Sequence, residues 1–219
     1  MLVNAESGEV FLYGPIGPDF WEDGITDEMM VRALAEIGDN RATIHINSPG
    51  GVADHGVAIY NILRQHSAGV DTIVESLAAS AASIIALAGE NRYIAKGGRW
   101  MIHQALTIAV GNADEMVKQA EVLRKYDASM AEIYGDHMSE SAEAIDAMMK
   151  AETWFNSQES IDAGLSTAML ERNAEKPYVA NWFANAPENL FESPAATAKP
   201  KFPAKRQAAR LRNILKQKS

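Results

Sequence analysis

Apolar and polar positions alternate along the first hundred residues in two distinct rhythms. Residues 9–13 and 43–47 are short apolar runs that read as strands, and residues 72–75 form a shorter candidate. Between the first two, residues 27–38 place Met30, Ala33, Leu34 and Ile37 at helical spacing, with Gly38 suited to close the helix. Residues 52–65 repeat the helical rhythm through Val57, Ile59, Tyr60 and Leu63. Residues 80–88 are small and apolar all round, as in a buried helix. Residues 92–95 and 100–102 read as short strands, and residues 114–138 as a long amphipathic helix capped by Asp114. Such strand–helix alternation predicts an α/β fold with a sheet between helices. No internal repeat is evident.

The pattern changes near residue 172. Five of the eight prolines lie beyond it (Pro177, Pro187, Pro194, Pro200 and Pro203). The chain therefore divides into a body, 1–172, and an extension, 173–219, expected to be a partly disordered linker and tail. Within the extension, Tyr178, Trp182, Phe183, Leu190 and Phe191 are candidate docking side chains, and residues 205–218 could form a short basic helix. The overall charge of −9 hides an asymmetry. Residues 199–219 carry eight basic side chains and no acidic one, while residues 1–198 carry 12 basic and 29 acidic, a net of −17. An acidic body is a poor nucleic-acid binder, so any such contact would run through the basic tail.

Composition narrows the chemistry. With 219 residues, 47% of them hydrophobic, the chain can bury a sizeable core. The absence of cysteine excludes disulfides, a thiol nucleophile and thiolate metal sites. No charged stretch followed by an apolar run opens the chain, and no apolar stretch of roughly 18 residues occurs, so neither a signal peptide nor a membrane span is expected. No two histidines share a close ligand spacing, so no metal or other cofactor is expected.

Four local features can carry chemistry. The first is Asn47-Ser48-Pro49-Gly50-Gly51, between a predicted strand and a predicted helix. It serves as a plain turn or as a set of exposed N–H groups for an oxyanion or phosphate. It lacks the Gly-Lys-Ser/Thr ending of a P-loop. The second is Ser80, among Ala78, Ala79, Ala81 and Ala82 at the mouth of a buried helix. Small neighbours permit a sharp turn, and the helix N-terminus offers donors and a positive dipole end. A helix cap would favour the same residue types. The third is His103, at the end of a predicted strand and able to act as a general base. His45, His55, His66 and His137 read as structural or exposed. The fourth is Glu152, which could orient a histidine, with Asp146 and Asp162 as nearby alternatives.

Taken in order, these features resemble the Clp-type serine peptidases. The resemblance rests on Ile-Asn-Ser-Pro-Gly-Gly at 46–51, Ala-Ala-Ser at 78–80, Met-Ile-His-Gln at 101–104, and the segment from Phe155 to Leu165 that ends in Ala-Gly-Leu. It spans about residues 9–168. It implies a ClpP/crotonase-like ββα-repeat fold with a long handle helix, here residues 114–138, and a homo-oligomeric ring with the active sites facing an internal chamber. It implies Ser80 as nucleophile, His103 as general base, and the N–H groups of Gly51 and Ala81 as the oxyanion hole. Glu152 stands where the family normally has an aspartate.

Two departures bear on the branch. After His103 the chain reads Ala105-Leu106-Thr107-Ile108, not the Pro-Leu-Gly-Gly-like segment usual in ATPase-partnered enzymes. Residues 107–114, the glutamate and the appended tail resemble the phage-encoded head maturation (prohead) proteases. That likeness implies an ATP-independent endopeptidase trimming scaffold or capsid proteins, in the host cytoplasm or an assembling procapsid, with no membrane partner. The competing readings are a housekeeping Clp-like protease working with an ATPase, a crotonase-like acyl-CoA enzyme, and a catalytically inactive assembly module.

Overall fold

The computed structural model describes residues 1–18 and 24–170. β1 (Leu2–Asn4) turns back antiparallel onto β2 (Glu9–Tyr13), whose Val10, Phe11 and Leu12 are all buried. α1 (Asp27–Ile37) begins where the Thr26 hydroxyl accepts from the Met29 N–H, and Asp27 and Glu28 sit in its first turn, at the positive end of the helix. Gly38 ends it at φ 66°, its N–H on the Leu34 carbonyl. β3 (Ala42–Ser48) and α2 (Ala53–Arg64) follow, then β4 (Val70–Ala79), α3 (Ala81–Ala86), β5 (Asn91–Ile94) and β6 (Arg99–Ile102). α4 (Ala113–Gly135), α5 (Ala142–Lys150), β7 (Thr153–Asn156), α6 (Ser157–Asp162) and β8 (Ala168–Met169) complete the body.

The α/β fold expected from the alternation is the fold observed. One sheet runs β1-β2-β3-β4-β5-β8, parallel except at the β1 edge. β4 is its pivot. Asp71–Val74 pairs with β5, while Leu77–Ala79 pairs with β6, which in turn pairs antiparallel with β7. The sheet thus forks within β4, between Val74 and Leu77, and the β6 branch runs to Ala79, the residue before Ser80. Ile44, Ile46, Ile59, Leu63, Ile84 and Ile85 form the centre of the core. Each such side chain contributes about 1.5–3 kcal/mol on burial. Among the described residues no helix is long and apolar enough to cross a membrane.

The structure differs from the sequence expectation in three elements. The strand expected at 72–75 is ten residues long, because Val70, Thr72, Val74, Ala78 and Ala79 are buried while Asp71 and Glu75 interrupt the apolar run. The long helix is capped by Asn112, not Asp114: the Asn112 side chain accepts from the Glu115 N–H and the Glu115 carboxylate accepts from the Asn112 N–H. Asp114 lies in the first turn instead. That helix also stops at Gly135, short of the expected 138. The extension expected at 173–219, with its basic helix, lies outside the described residues.

Candidate active site

Ser80 sits where β4 ends and α3 begins, at φ 54° and ψ −128°. Among the described residues, Ser80 and Glu152 are the two non-glycine residues with positive φ. For a residue with a Cβ such a conformation costs about 1–3 kcal/mol, so the surrounding structure must impose it. At Ser80 the restraints are visible. Its N–H donates to the Met101 carbonyl at 2.9 Å. Its own carbonyl accepts from both the N–H (2.9 Å) and the hydroxyl (2.6 Å) of Ser83. The Ser83 hydroxyl is in turn 2.6 Å from the Tyr134 hydroxyl on α4. Since Ser83 spends its proton on Ser80, Tyr134 is the donor. Burial pushes the Tyr134 phenol far above its ordinary range, which keeps it a neutral donor.

His103 follows β6, and its Nε2 lies 2.8 Å from the Ser80 Oγ. The chain leaving it is pinned on two sides. The Gln104 N–H donates to the Met149 carbonyl at the end of α5, and the Ala105 N–H to the Asp127 carboxylate on α4. A neutral imidazole at this distance can take the serine proton.

The turn 47–51 packs against the Ser80 bend. Gly50 (φ 89°) comes so close that a Cβ there would lie 2.5 Å from the Ala79 carbonyl oxygen and 2.6 Å from the Ser80 Cβ. Gly51 is held beside Ile16, whose carbonyl a Cβ would strike. Gly51 and Ala81 line the same cleft as Ser80 and His103, a cavity of about 750 Å³. Ala81 is the first residue of α3, so its N–H has no acceptor within that helix.

The structure brings Ser80, His103, Gly51 and Ala81 together. Glu152 stands apart in side chain but not in backbone. β6 and β7 pair Ile102 with Thr153, where the ladder ends, so His103 and Glu152 each flank the last pair. The Glu152 carboxylate, however, accepts from the Trp154 indole N–H at 3.2 Å. Among the described residues no carboxylate is hydrogen-bonded to His103. Asp146 is exposed on α5, and the Asp162 carboxylate accepts from the Gln158 amide.

The other histidines are engaged elsewhere. His45 is buried, stacked on Phe11 at 4.6 Å with Nδ1 2.8 Å from Glu75. His55 lies 2.7 Å from Asp27, and His66 is 2.8 Å from the Asn40 carbonyl. Burial, with Arg92 and Arg64 nearby, lowers His137 to about 4. Among the described residues no group of three potential ligands could hold a metal ion.

A strained serine, a histidine on its hydroxyl and backbone of a glycine turn and a helix start lining the same cleft are the parts of an acyl-transfer site. The comparisons agree. The Clp protease family model matches residues 3–173. The chain belongs to the Clp protease family. This is a family of serine peptidases that act on peptides and form homo-oligomeric rings. The chain is 29% identical over 171 residues to the ATP-dependent Clp protease proteolytic subunit 2 of Treponema denticola, covering 77% of this chain and 84% of that protein. A ClpP1 variant from Listeria monocytogenes has the same fold, with a TM-score of 0.68 at 23% identity, covering 77% of this chain and 94% of that one.

Sequence reasoning missed the Tyr134–Ser83 tether of this Clp-family site. Ser83 lies three residues after Ser80, the spacing of a hydroxyl that bonds back across a helix start, but Tyr134 is 51 residues further on. The Tyr126 hydroxyl, donating to the Asp54 carboxylate at 2.9 Å in the same cleft, was equally invisible. That hydrogen bond raises the Tyr126 phenol.

Proposed function

We propose that this protein is an ATP-independent serine endopeptidase that processes scaffold or capsid proteins during phage head maturation. The observation that carries the peptidase reading is the 2.8 Å approach of His103 Nε2 to Ser80 Oγ beside Gly51 and Ala81. In this mechanism His103 takes the Ser80 proton as Oγ attacks the scissile carbonyl. The Gly51 and Ala81 N–H groups stabilise the oxyanion. His103 then protonates the leaving amine, and water hydrolyses the acyl-enzyme along the reverse path. Glu152 would turn from Trp154 onto His103 Nδ1 to complete a triad. The phage assignment is supported by residues 105–114, by glutamate at 152 and by the basic extension. It places the enzyme as a ring in the host cytoplasm or the procapsid. The deciding experiment is digestion of scaffold and capsid protein without nucleotide or ATPase. Cleavage there supports the reading, and cleavage only with an ATPase present overturns it in favour of a housekeeping Clp peptidase. The Treponema relative, named as ATP-dependent, favours that second reading.

Two variants probe the machinery. Gly50→Ala should lower kcat by about 10²–10³, comparable to losing an oxyanion donor, because the new Cβ must displace the Ser80 bend. Steady-state kinetics on an otherwise folded ring checks this. Tyr134→Phe removes only the donor to Ser83. It should lower kcat and the rate of fluorophosphonate labelling by about tenfold, with KM little changed, since small misplacement of a nucleophile is costly. A fall in melting temperature with an unchanged labelling rate would make the tether merely structural.

A further inference from the structure

The cleft around Ser80 is walled by small and apolar side chains, among them Ile16, Val52, Leu106, Val122 and Leu123. Among its described lining residues Asp54 is the one carboxylate, and no lysine or arginine lines it. Asp54 lies in the first turn of α2, three residues after Gly51. A carboxylate there is ordinarily explained by the helix dipole and by capping. Yet the cap residue of α2, Val52, contributes no side-chain bond, and the Asp54 carboxylate is turned instead to α4, where Oδ2 accepts from the Tyr126 hydroxyl at 2.9 Å. Tyr126 lines the cleft as well, so the bond joins two of its walls and orients the exposed carboxylate beside it. Among the described residues no cation pairs with Asp54. Tyr126 engages Oδ2, which leaves Oδ1 for a ligand.

We propose that Asp54 is a specificity-determining carboxylate for a lysine or arginine side chain of the substrate, which makes the preferred substrate an otherwise apolar peptide with one basic residue close to the scissile bond. This rests on the peptidase reading above. An extended peptide advances about 3.3 Å per residue, so one register sets a basic side chain against Asp54 while others do not. The acidic body, with 11 basic and 26 acidic side chains over residues 1–172 and so a net of −15, would draw such peptides toward the cleft.

Binding tests the subsite without turnover. Fluorescent apolar peptides carrying a single lysine, walked one position at a time, are titrated into full-length Ser80→Ala protein. Each is compared with its norleucine counterpart at low and high salt. The expected result is one position where lysine binds about fivefold more tightly at low salt, the range of a partly exposed charge pair, with the advantage lost at high salt. Asp54→Asn should bring that ratio to about one, while Tyr126→Phe should reduce but keep it. Equal binding of lysine and norleucine at every position, or a preference that survives Asp54→Asn, overturns the proposal. Wild-type protein that cleaves peptides but shows no lysine preference refutes the subsite alone. Wild-type protein that fails to label at Ser80 refutes the peptidase reading alone, because the binding ratio is measured separately.

Discussion

Ser80→Ala should abolish labelling by a fluorophosphonate probe and lower peptide hydrolysis by about 10⁶-fold, the scale of removing a serine nucleophile whose partners act as a unit. The expectation follows from how much structure converges on that residue. A non-glycine residue at φ 54° is unfavourable on its own, and it is held by the Met101 carbonyl, by Ser83 and, through Ser83, by Tyr134. The turn at Gly50 leaves no room for a side chain beside it. Little of this is needed to cap α3, since Ser80 makes no side-chain cap bond and its hydroxyl faces His103. Alanine has no hydroxyl to acylate, and its shape fits the bend, so the variant should fold and assemble as the wild type does. Unlabelled wild type that is folded and oligomeric would instead favour the inactive assembly module. Labelling that persists in Ser80→Ala would place the nucleophile elsewhere.

How much of this was legible in the chain depends on the range over which each feature is encoded. β2 matches its expected span to the residue because Val10, Phe11 and Leu12 form an unbroken apolar run. α1 was equally plain, with its buried Met30, Ala33 and Ile37 at helical spacing and its terminal glycine. Ser80, His103 and the 47–51 turn could be singled out because each lies at the end of a strand, where local residue types reveal a bend or a cleft. Residues 139–170 carry no periodic pattern long enough to predict elements. There α5 spans nine residues, α6 six and β7 four, and their start signals, Ser141 and Asn156, are caps without a long periodic stretch behind them. Contacts that cross the fold left no local trace. The Tyr134–Ser83 and Tyr126–Asp54 bonds join α4 to elements 51 and 72 residues away. The Trp154 bond to Glu152 is short in sequence, but which partner the carboxylate takes is a choice of rotamer that residue types do not encode.

That choice governs the second large effect. Glu152→Gln should lower kcat by about 10⁴ with little change in KM, the size found when a triad carboxylate becomes an amide. For Nε2 of His103 to accept the Ser80 proton, Nδ1 must carry the other proton and needs an acceptor to hold it. A carboxylate also stabilises the imidazolium that forms, whereas an amide can present N–H where an acceptor is required. Glu152 is the carboxylate next to the last pair of the β6–β7 ladder, Ile102–Thr153, on whose other strand His103 follows. It is also the second non-glycine residue at positive φ, at 53°. Helices commonly end with a residue at positive φ one step past the cap, and a glycine would serve there at lower cost, so a glutamate held in that conformation fits a role for its side chain. The Trp154 indole competes for the same carboxylate, so Trp154→Phe should retain or increase turnover. Full activity in Glu152→Gln would remove Glu152 from the triad and leave Asp146 and Asp162 to be tested. Loss of activity in Trp154→Phe equal to that in Glu152→Gln would mean that the indole holds the glutamate in its working position, not away from it.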